Sequence, residues 1–289
     1  MGNVRDLGGK ISSLKNMQKV MRAMNMISSI KLRKLHTLQN SLLLFTRSVS
    51  SIYLQIAAAL SDSSNLLAAG CGKVDRIHLV MFTGDKGLCG THNSSVQKAA
   101  GKLIDENKTS GVETELTCIG NKGINFCKRK GYKIHQQSEI GERTFDKERL
   151  RVFSDGIMQR FLDGEVQKIL VIGNVFYSTL HQETKTQQLF PFFIPEKDKR
   201  EDSCGYLTEP EGNFLAETAA TRLLYYRLQI SLLNSNLSEH SSRMTAMENA
   251  TNNSDDLINK YTSIQNHARQ AAITSELIEI ISGKEALKG

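Results

Sequence analysis

No tryptophan, no C-x-x-C pair and only three prolines occur in these 289 residues, and no proline precedes Pro191. Each shortage excludes something. Without proline in the first 190 residues, a long uninterrupted N-terminal helix is permitted. Five cysteines, an odd number without paired spacing, exclude a disulfide framework and point to free thiols in a reducing compartment. The longest apolar runs fall far short of the roughly 18 residues that a membrane span needs. The opening "MGNVRDLGGK" lacks the hydrophobic block of a secretory signal, so none is expected. Acidic residues are nearly missing from the first fifty positions. Nine basic residues there face Asp6 alone, a local +8 that leaves −1 for the other 239 of a chain whose net charge is +7. A partner with acidic surface is implied.

Catalytic signatures are also scarce. The seven histidines do not cluster with cysteines or carboxylates at ligand spacing, so no metal site is expected. No G-x-S-x-G occurs, and no nucleophile stands beside a base. Glu276 and Glu279 would share one helix face, where two glutamates ordinarily form a solvated surface. The glycine-rich "FTGDKGLCGTHN" (82–93) follows a strand and precedes a helix, as a phosphate-cradling loop would. It matches neither G-x-x-x-x-G-K-[ST] nor G-x-G-x-x-G, and such a turn is also an ordinary strand-to-helix connection. No catalytic residue, cofactor or metal is therefore predicted.

The ends of the chain are periodic. From Met17 the positions Met21, Met24, Ser28, Lys31, Leu35, Leu38, Leu42, Phe45, Val49, Ile52, Ile56 and Ala59 alternate steps of four and three. Eleven of the thirteen are apolar, which predicts a coiled-coil seam of about six heptads. At 1.5 Å per residue it would be roughly 65 Å long, more than a domain of this size needs internally. In the C-terminal part, Met247, Ala250, Ser254, Leu257, Tyr261, Ile264, Ala268, Ala271, Ser275 and Ile278 repeat the pattern. Arg222, Gln229, Asn236, His240 and Arg243 interrupt the same register, and "NSNLSEHSSR" (234–243) has poor helix propensity, so a break there competes with a continuous helix.

Between the ends the period changes. "DRIHLVMF" (75–82), "VETELTCI" (112–119) and "KILVIGNVF" (168–176) predict buried strands, with helices near 93–107, 122–129 and 146–162 and an edge strand at 180–190. The predicted fold class is α/β. It combines an antiparallel coiled coil of long N- and C-terminal helices with a small central, mostly parallel, Rossmann-like domain. The expected parts are a helix at 1–60, a linker at 61–74, the central domain at 75–194, an exposed connection at 195–209 and a helix at 210–289. One stretch resists this scheme. "RQAAITSELIEIISG" (269–283) is apolar around well over half a helix, whereas a surface helix keeps to one stripe.

Residue chemistry raises two functional readings: a basic coiled-coil nucleic-acid-binding protein using "KLRK" (31–34), and a nucleotide enzyme using 82–93. Against nucleic acid, the cations interleave with a methionine-rich seam, "AMNMISSI" (23–30) has no base-reading character, and aromatic residues are few.

Three stretches resemble the gamma subunit of F-type ATP synthases. They are "KISSLKNMQKVMRAMNMISSIKLRK" (10–34), "GDKGLCGTHN" (84–93) and residues 242–287. The last carries I-T-x-E-x-x-E-x-x-x-G at Ile273, Thr274, Glu276, Glu279 and Gly283. Gly84, Thr91-His92 and Lys284-Glu285 depart locally from the family pattern. The resemblance implies a rotor shaft inside three alpha and three beta subunits, with epsilon and the c-ring near its middle domain. It implies no nucleotide or nucleic acid bound directly, and membrane association only through the complex. It also implies contacts of Arg269, Gln270, Thr274 and Glu276 with beta loops, and of Met24, Lys31, Arg33, Lys34, Lys86 and Cys89 with an acidic region of beta. The apolar tip would then be enclosed by those subunits. A location at the cytoplasmic face of a bacterial inner membrane is expected.

Overall fold

The computed structural model describes residues 2–59, 73–138, 147–192 and 213–286. Along the chain run α1 (Gly2–Ala59), β1 (Arg76–Phe82), α2 (His92–Thr109), β2 (Glu113–Ile119), α3 (Asn121–Lys130), β3 (Ile134–Ser138), α4 (Lys147–Leu162), β4 (Lys168–Phe176), β5 (Gln182–Phe190) and α5 (Asn213–Ala286). The expected linker, apart from residues 73 and 74, and the expected connection at 195–209 lie outside the described residues. Two compact units emerge, one of residues 1–29 with 243–289 and one of residues 30–242.

The larger unit is built on a five-stranded sheet of order β3-β2-β1-β4-β5. Its first four strands are parallel and β5 is antiparallel. β1, "RIHLVMF", is buried on both faces because its neighbours are parallel crossovers with helices on either side. Alternation then divides the core. Val80 and Phe82 join Ile119, Phe153, Phe161, Ile169, Phe190, Leu224 and Leu228, whereas Leu79 and Met81 join Val96, Ala100, Leu116, Cys118, Ile124 and Cys127. Each such side chain taken out of water contributes about 1.5–3 kcal/mol. Tyr53 of α1 is buried in the first cluster, its ring edge-on to Phe190 and Phe192. β3, with sequence "IHQQS", was not anticipated. It is an edge strand in which His135, Gln136 and Gln137 are exposed, so it carries no apolar alternation to find.

In both units α1 and α5 run antiparallel. Within the larger unit Gln39 Nε2 donates to Asn234 Oδ1 at 2.7 Å, and the Phe45 and Tyr226 rings meet edge-on. Within the smaller one Gln18 Nε2 donates to Asp255 Oδ1, Arg22 pairs with Asp255 at 3.6 Å, and Gln265 Nε2 donates to the Val4 carbonyl at 3.1 Å.

The seam differs from the predicted register at alternate positions 17, 31, 38, 45 and 52. In the smaller unit the inward positions of α1 are Leu7, Ile11, Leu14, Gln18, Met21, Asn25 and Ser28. In the larger they are Leu32, Leu35, Gln39, Leu42, Thr46, Val49, Tyr53 and Ile56. Met17, Lys31, Leu38, Phe45 and Ile52 stand one position outside, Met17, Leu38, Phe45 and Ile52 each about half exposed. In α5, Ile258, Gln265 and Ala272 likewise take the places expected of Leu257, Ile264 and Ala271. Reading hydrophobicity alone misplaces part of the seam, because at 17/18, 38/39 and 45/46 an apolar residue stands on the flank and a polar one inside.

"NSNLSEHSSR" is continuous helix. Ser235, Leu237, Ser238, Glu239, His240 and Ser241 are all buried, packed against the sheet domain as well as α1. Serines permit close backbone approach there, and their hydroxyls find partners: Ser238 Oγ to the Asn174 carbonyl, Ser241 Oγ to the Thr179 carbonyl, and Ser242 Oγ to Gln182 Oε1. Tertiary burial overrides a weak intrinsic propensity. The same burial explains Gln229 and His240, which interrupt the expected register because this stretch has no solvent face.

Candidate functional site

The glycine-rich loop leaves β1 where strand order reverses between β2 and β4, the place at which doubly wound sheets bind ligands. The Gly84 amide and the first three amides of α3, which face the loop, are already committed. Gly84 N–H goes to Asn93 Oδ1 at 2.8 Å, Asn121 N–H to Asp85 Oδ1 at 2.9 Å, Lys122 N–H to the Gly84 carbonyl at 3.1 Å, and Gly123 N–H to Thr83 Oγ1 at 2.9 Å. The crevice is also filled from within. A Cβ at Gly84 would lie 2.7–2.8 Å from the carboxyl atoms of Glu239, and Glu239 is buried. A phosphate beside Gly84 would find these four amides taken and a carboxylate in its place. The loop is therefore a structural joint rather than a cradle, and α5 is seated on it.

Around this joint lies a buried polar network. Asn174 Nδ2 donates to the His92 carbonyl at 2.9 Å and lies 2.8 Å from His92 Nδ1, and Thr184 Oγ1 donates to Asn174 Oδ1. It ties α2, β4 and β5 together beneath the loop. Neither Glu239 nor Asn174 was singled out by pattern. The only signal was the spacing of serines at 235, 238 and 241, which marks a helix face of small side chains.

The residues that the resemblance assigns to an interface fall in three places. Lys31, Arg33 and Lys34 are exposed on α1, and Met24 is half-buried on the same helix. Lys86 is exposed on the loop, beside Leu88, which is exposed and takes a φ of 61°. Cys89 is buried and its sulfur accepts from Asn93 Nδ2 at 3.1 Å, so it braces the loop from inside. Arg269, Gln270, Thr274 and Glu276 are exposed on α5, with Thr274 Oγ1 bonded back to the Gln270 carbonyl at 2.9 Å. Beyond Ala272 no described side chain of α5 is covered. Ile273, Leu277, Ile278, Ile280 and Ile281 are 50–68% exposed.

A second charged cluster sits at the opposite ends of β1 and β2. Glu115 Oε2 receives Arg160 Nη1 at 2.7 Å, with His78 Nδ1 at 3.8 Å and His135 Nδ1 at 4.0 Å. Burial alone would raise Glu115, but the Arg160 hydrogen bond and charge hold its carboxyl below the usual range. Burial and the Arg160 charge push His78 down to about 4, so it is a neutral core histidine bonded to Thr117 Oγ1. Among the described residues no group of three or more His, Cys, Asp or Glu could hold a metal ion. None of their helices is long and apolar enough to cross a membrane.

A sheet unit whose crevice is filled from within, together with an apolar helix end left bare, defines a protein that works through other chains. The ATP synthase family model matches residues 3–287. ATP synthase gamma chains of Sulfurihydrogenibium sp. and Paracoccus denitrificans are 35% and 34% identical, covering 98% and 99% of this chain and 98% and 100% of theirs. Among solved structures, a chain from the Euglena gracilis mitochondrial ATP synthase superposes with a TM-score of 0.69 at 17% identity, covering 99% of this chain and 95% of that one. A chain from the central stalk and c-ring structure of the Tetrahymena thermophila enzyme gives 0.59 at 20% identity, covering 80% and 99%. The chain belongs to the gamma-chain family of F-type ATP synthases, whose member is a non-catalytic part of the enzyme complex.

Proposed function

We infer that this chain is the central rotor shaft of an F-type ATP synthase, coupling proton flow to the conformational cycling of the beta subunits. Its partners are the alpha–beta hexamer, epsilon and the c-ring. The observation that carries the reading is the bare end of α5. Five large aliphatic side chains between Ile273 and Ile281 are more exposed than a monomer's surface sustains, and they demand an enclosing sleeve.

The shaft acts as a ligand with differential affinity for the open and closed states of beta. Because its faces differ, each angle favours a different state in each catalytic subunit. Arg269, Gln270, Thr274 and Glu276 are proposed to engage beta loops, and Met24, Lys31, Arg33, Lys34 and Lys86 an acidic region of beta, with Cys89 bracing Lys86 from within. Exposed ion pairs are worth only about 0–1 kcal/mol each, so such contacts can be exchanged as the shaft turns. The proposed location is the cytoplasmic face of a bacterial inner membrane, which the bacterial sources of the relatives support.

Coexpression with alpha and beta subunits tests the reading. The expected result is a complex whose ATPase activity depends on this chain and whose turnover collapses when residues 269–286 are deleted. An alpha–beta assembly that hydrolyses ATP equally well with and without it refutes the function.

A further inference from the structure

Cys118 on β2 and Cys127 on α3 are both fully buried, and their sulfurs lie 3.5 Å apart. They face each other inside the cluster of Leu79, Met81, Val96, Leu116 and Ile124. Either thiol can donate to the other; a bond from Cys118 lowers the Cys127 thiol and raises that of Cys118, while burial raises both. One sulfur is thereby readied as the nucleophile and the other keeps the proton.

Access runs through α3. This ten-residue helix buries only Gly123, Ile124 and Cys127, a small hold that favours local opening. Its outer face exposes Lys122, Lys128, Arg129 and Lys130, and no Asp or Glu occurs from Leu116 to Ser138. That charge suits an anionic reagent.

We propose that Cys118 and Cys127 form a reversible dithiol–disulfide couple, oxidised by an acidic small-molecule disulfide of the glutathione type that approaches over the basic face of α3. The Cys127 thiolate attacks one sulfur of the reagent, forming a mixed disulfide and releasing the first thiolate. Cys118 then attacks Cys127 Sγ, the protein disulfide closes, and the second thiolate leaves. The two protein protons pass to the two released thiolates. Two electrons move from the protein to the reagent, which ends as two thiols. The sulfurs need approach by only about 1.5 Å to reach bonding distance. Closure staples α3 to β2. The first turn of α3 holds the glycine-rich loop through Asn121, Lys122 and Gly123, so oxidation would fix the support of Lys86. The couple stands on the packing of this chain and does not depend on the rotor reading.

The full chain is incubated in mixtures of oxidised and reduced glutathione, quenched with an alkylating reagent and mapped by mass spectrometry without reduction. The expected product is a peptide pair joining Cys118 to Cys127, about 2 Da lighter than the dithiol. It should be reversed by dithiothreitol, absent in Cys127→Ala, and formed several-fold faster with oxidised glutathione than with cationic cystamine. Two thiols still fully alkylatable at equilibrium, or a reaction arrested at a glutathione adduct on Cys127, overturns the couple. Equal rates with the two reagents overturn the approach over α3.

Discussion

Replacing Gln39 by leucine tests why the seam of the larger unit buries polar residues while apolar ones stand beside it. Gln39 is 7% exposed and donates to Asn234 Oδ1 at 2.7 Å, whereas Leu38 is 51% exposed. Turning α1 by about 50° about its axis would bury Leu38, Phe45 and Ile52 in place of Gln39, Thr46 and Tyr53. Hydrophobicity alone does not exclude that competitor, and a directional bond does. Gln39→Leu gains about 1 kcal/mol of apolar burial but strands the Asn234 amide, which costs about 1–3 kcal/mol. The net expectation is a loss of about 1 kcal/mol. The double variant Gln39→Leu/Asn234→Leu removes both partners and should return to within about 1 kcal/mol of the parent or exceed it. A coupling of about 1–2 kcal/mol follows for the cycle. Denaturant unfolding of the full chain gives the four stabilities. Should the single variant be as stable as the parent, with no coupling in the double, the bond does not set the register.

Gly120→Ala should be the most damaging single-methyl change in the sheet domain. The residue sits at φ 101°, and an added Cβ would lie 2.0 Å from the Thr83 carbonyl oxygen, so a loss of more than about 3 kcal/mol is expected, read as a lowered melting temperature. His78 makes stability depend on acid. Its folded pKa of about 4 lies below the unfolded value of about 6.5, so its contribution is whole above pH 6.5 and disappears as pH falls toward 4. The total is about 3 kcal/mol, and His78→Leu should flatten that slope by about one proton. An unchanged slope would assign the acid sensitivity elsewhere, for instance to Glu115. Reversing the charges of Lys31, Arg33 and Lys34 should weaken coupling more than assembly, seen as a several-fold drop in ATP-driven proton pumping with subunit stoichiometry intact; undiminished pumping efficiency counts against the proposed contact.

Much of the architecture was legible because it rests on local periodicity. The strands at 75–82, 112–119 and 168–176 stand within a residue of β1, β2 and β4, since a run of β-branched and apolar residues between turn signals admits little else. The rotor reading was legible too, through the terminal motifs and the all-round apolar tail. β3 was not, because an exposed polar edge strand has no hydrophobic signature.

What the chain determines by itself is which segments are helix or strand and that its far end needs other chains. Which side of α1 and α5 faces inward belongs to the tertiary structure. Leu38 and Gln39 differ by 100° on a helix, and only the position of Asn234 on another segment makes the glutamine the inner one. The fate of the glycine-rich loop was decided the same way, since Glu239 comes from 155 positions further along to occupy the space beside Gly84. Side-chain pattern reports a residue's preference for water, but partners distant in sequence settle where a polar group is satisfied.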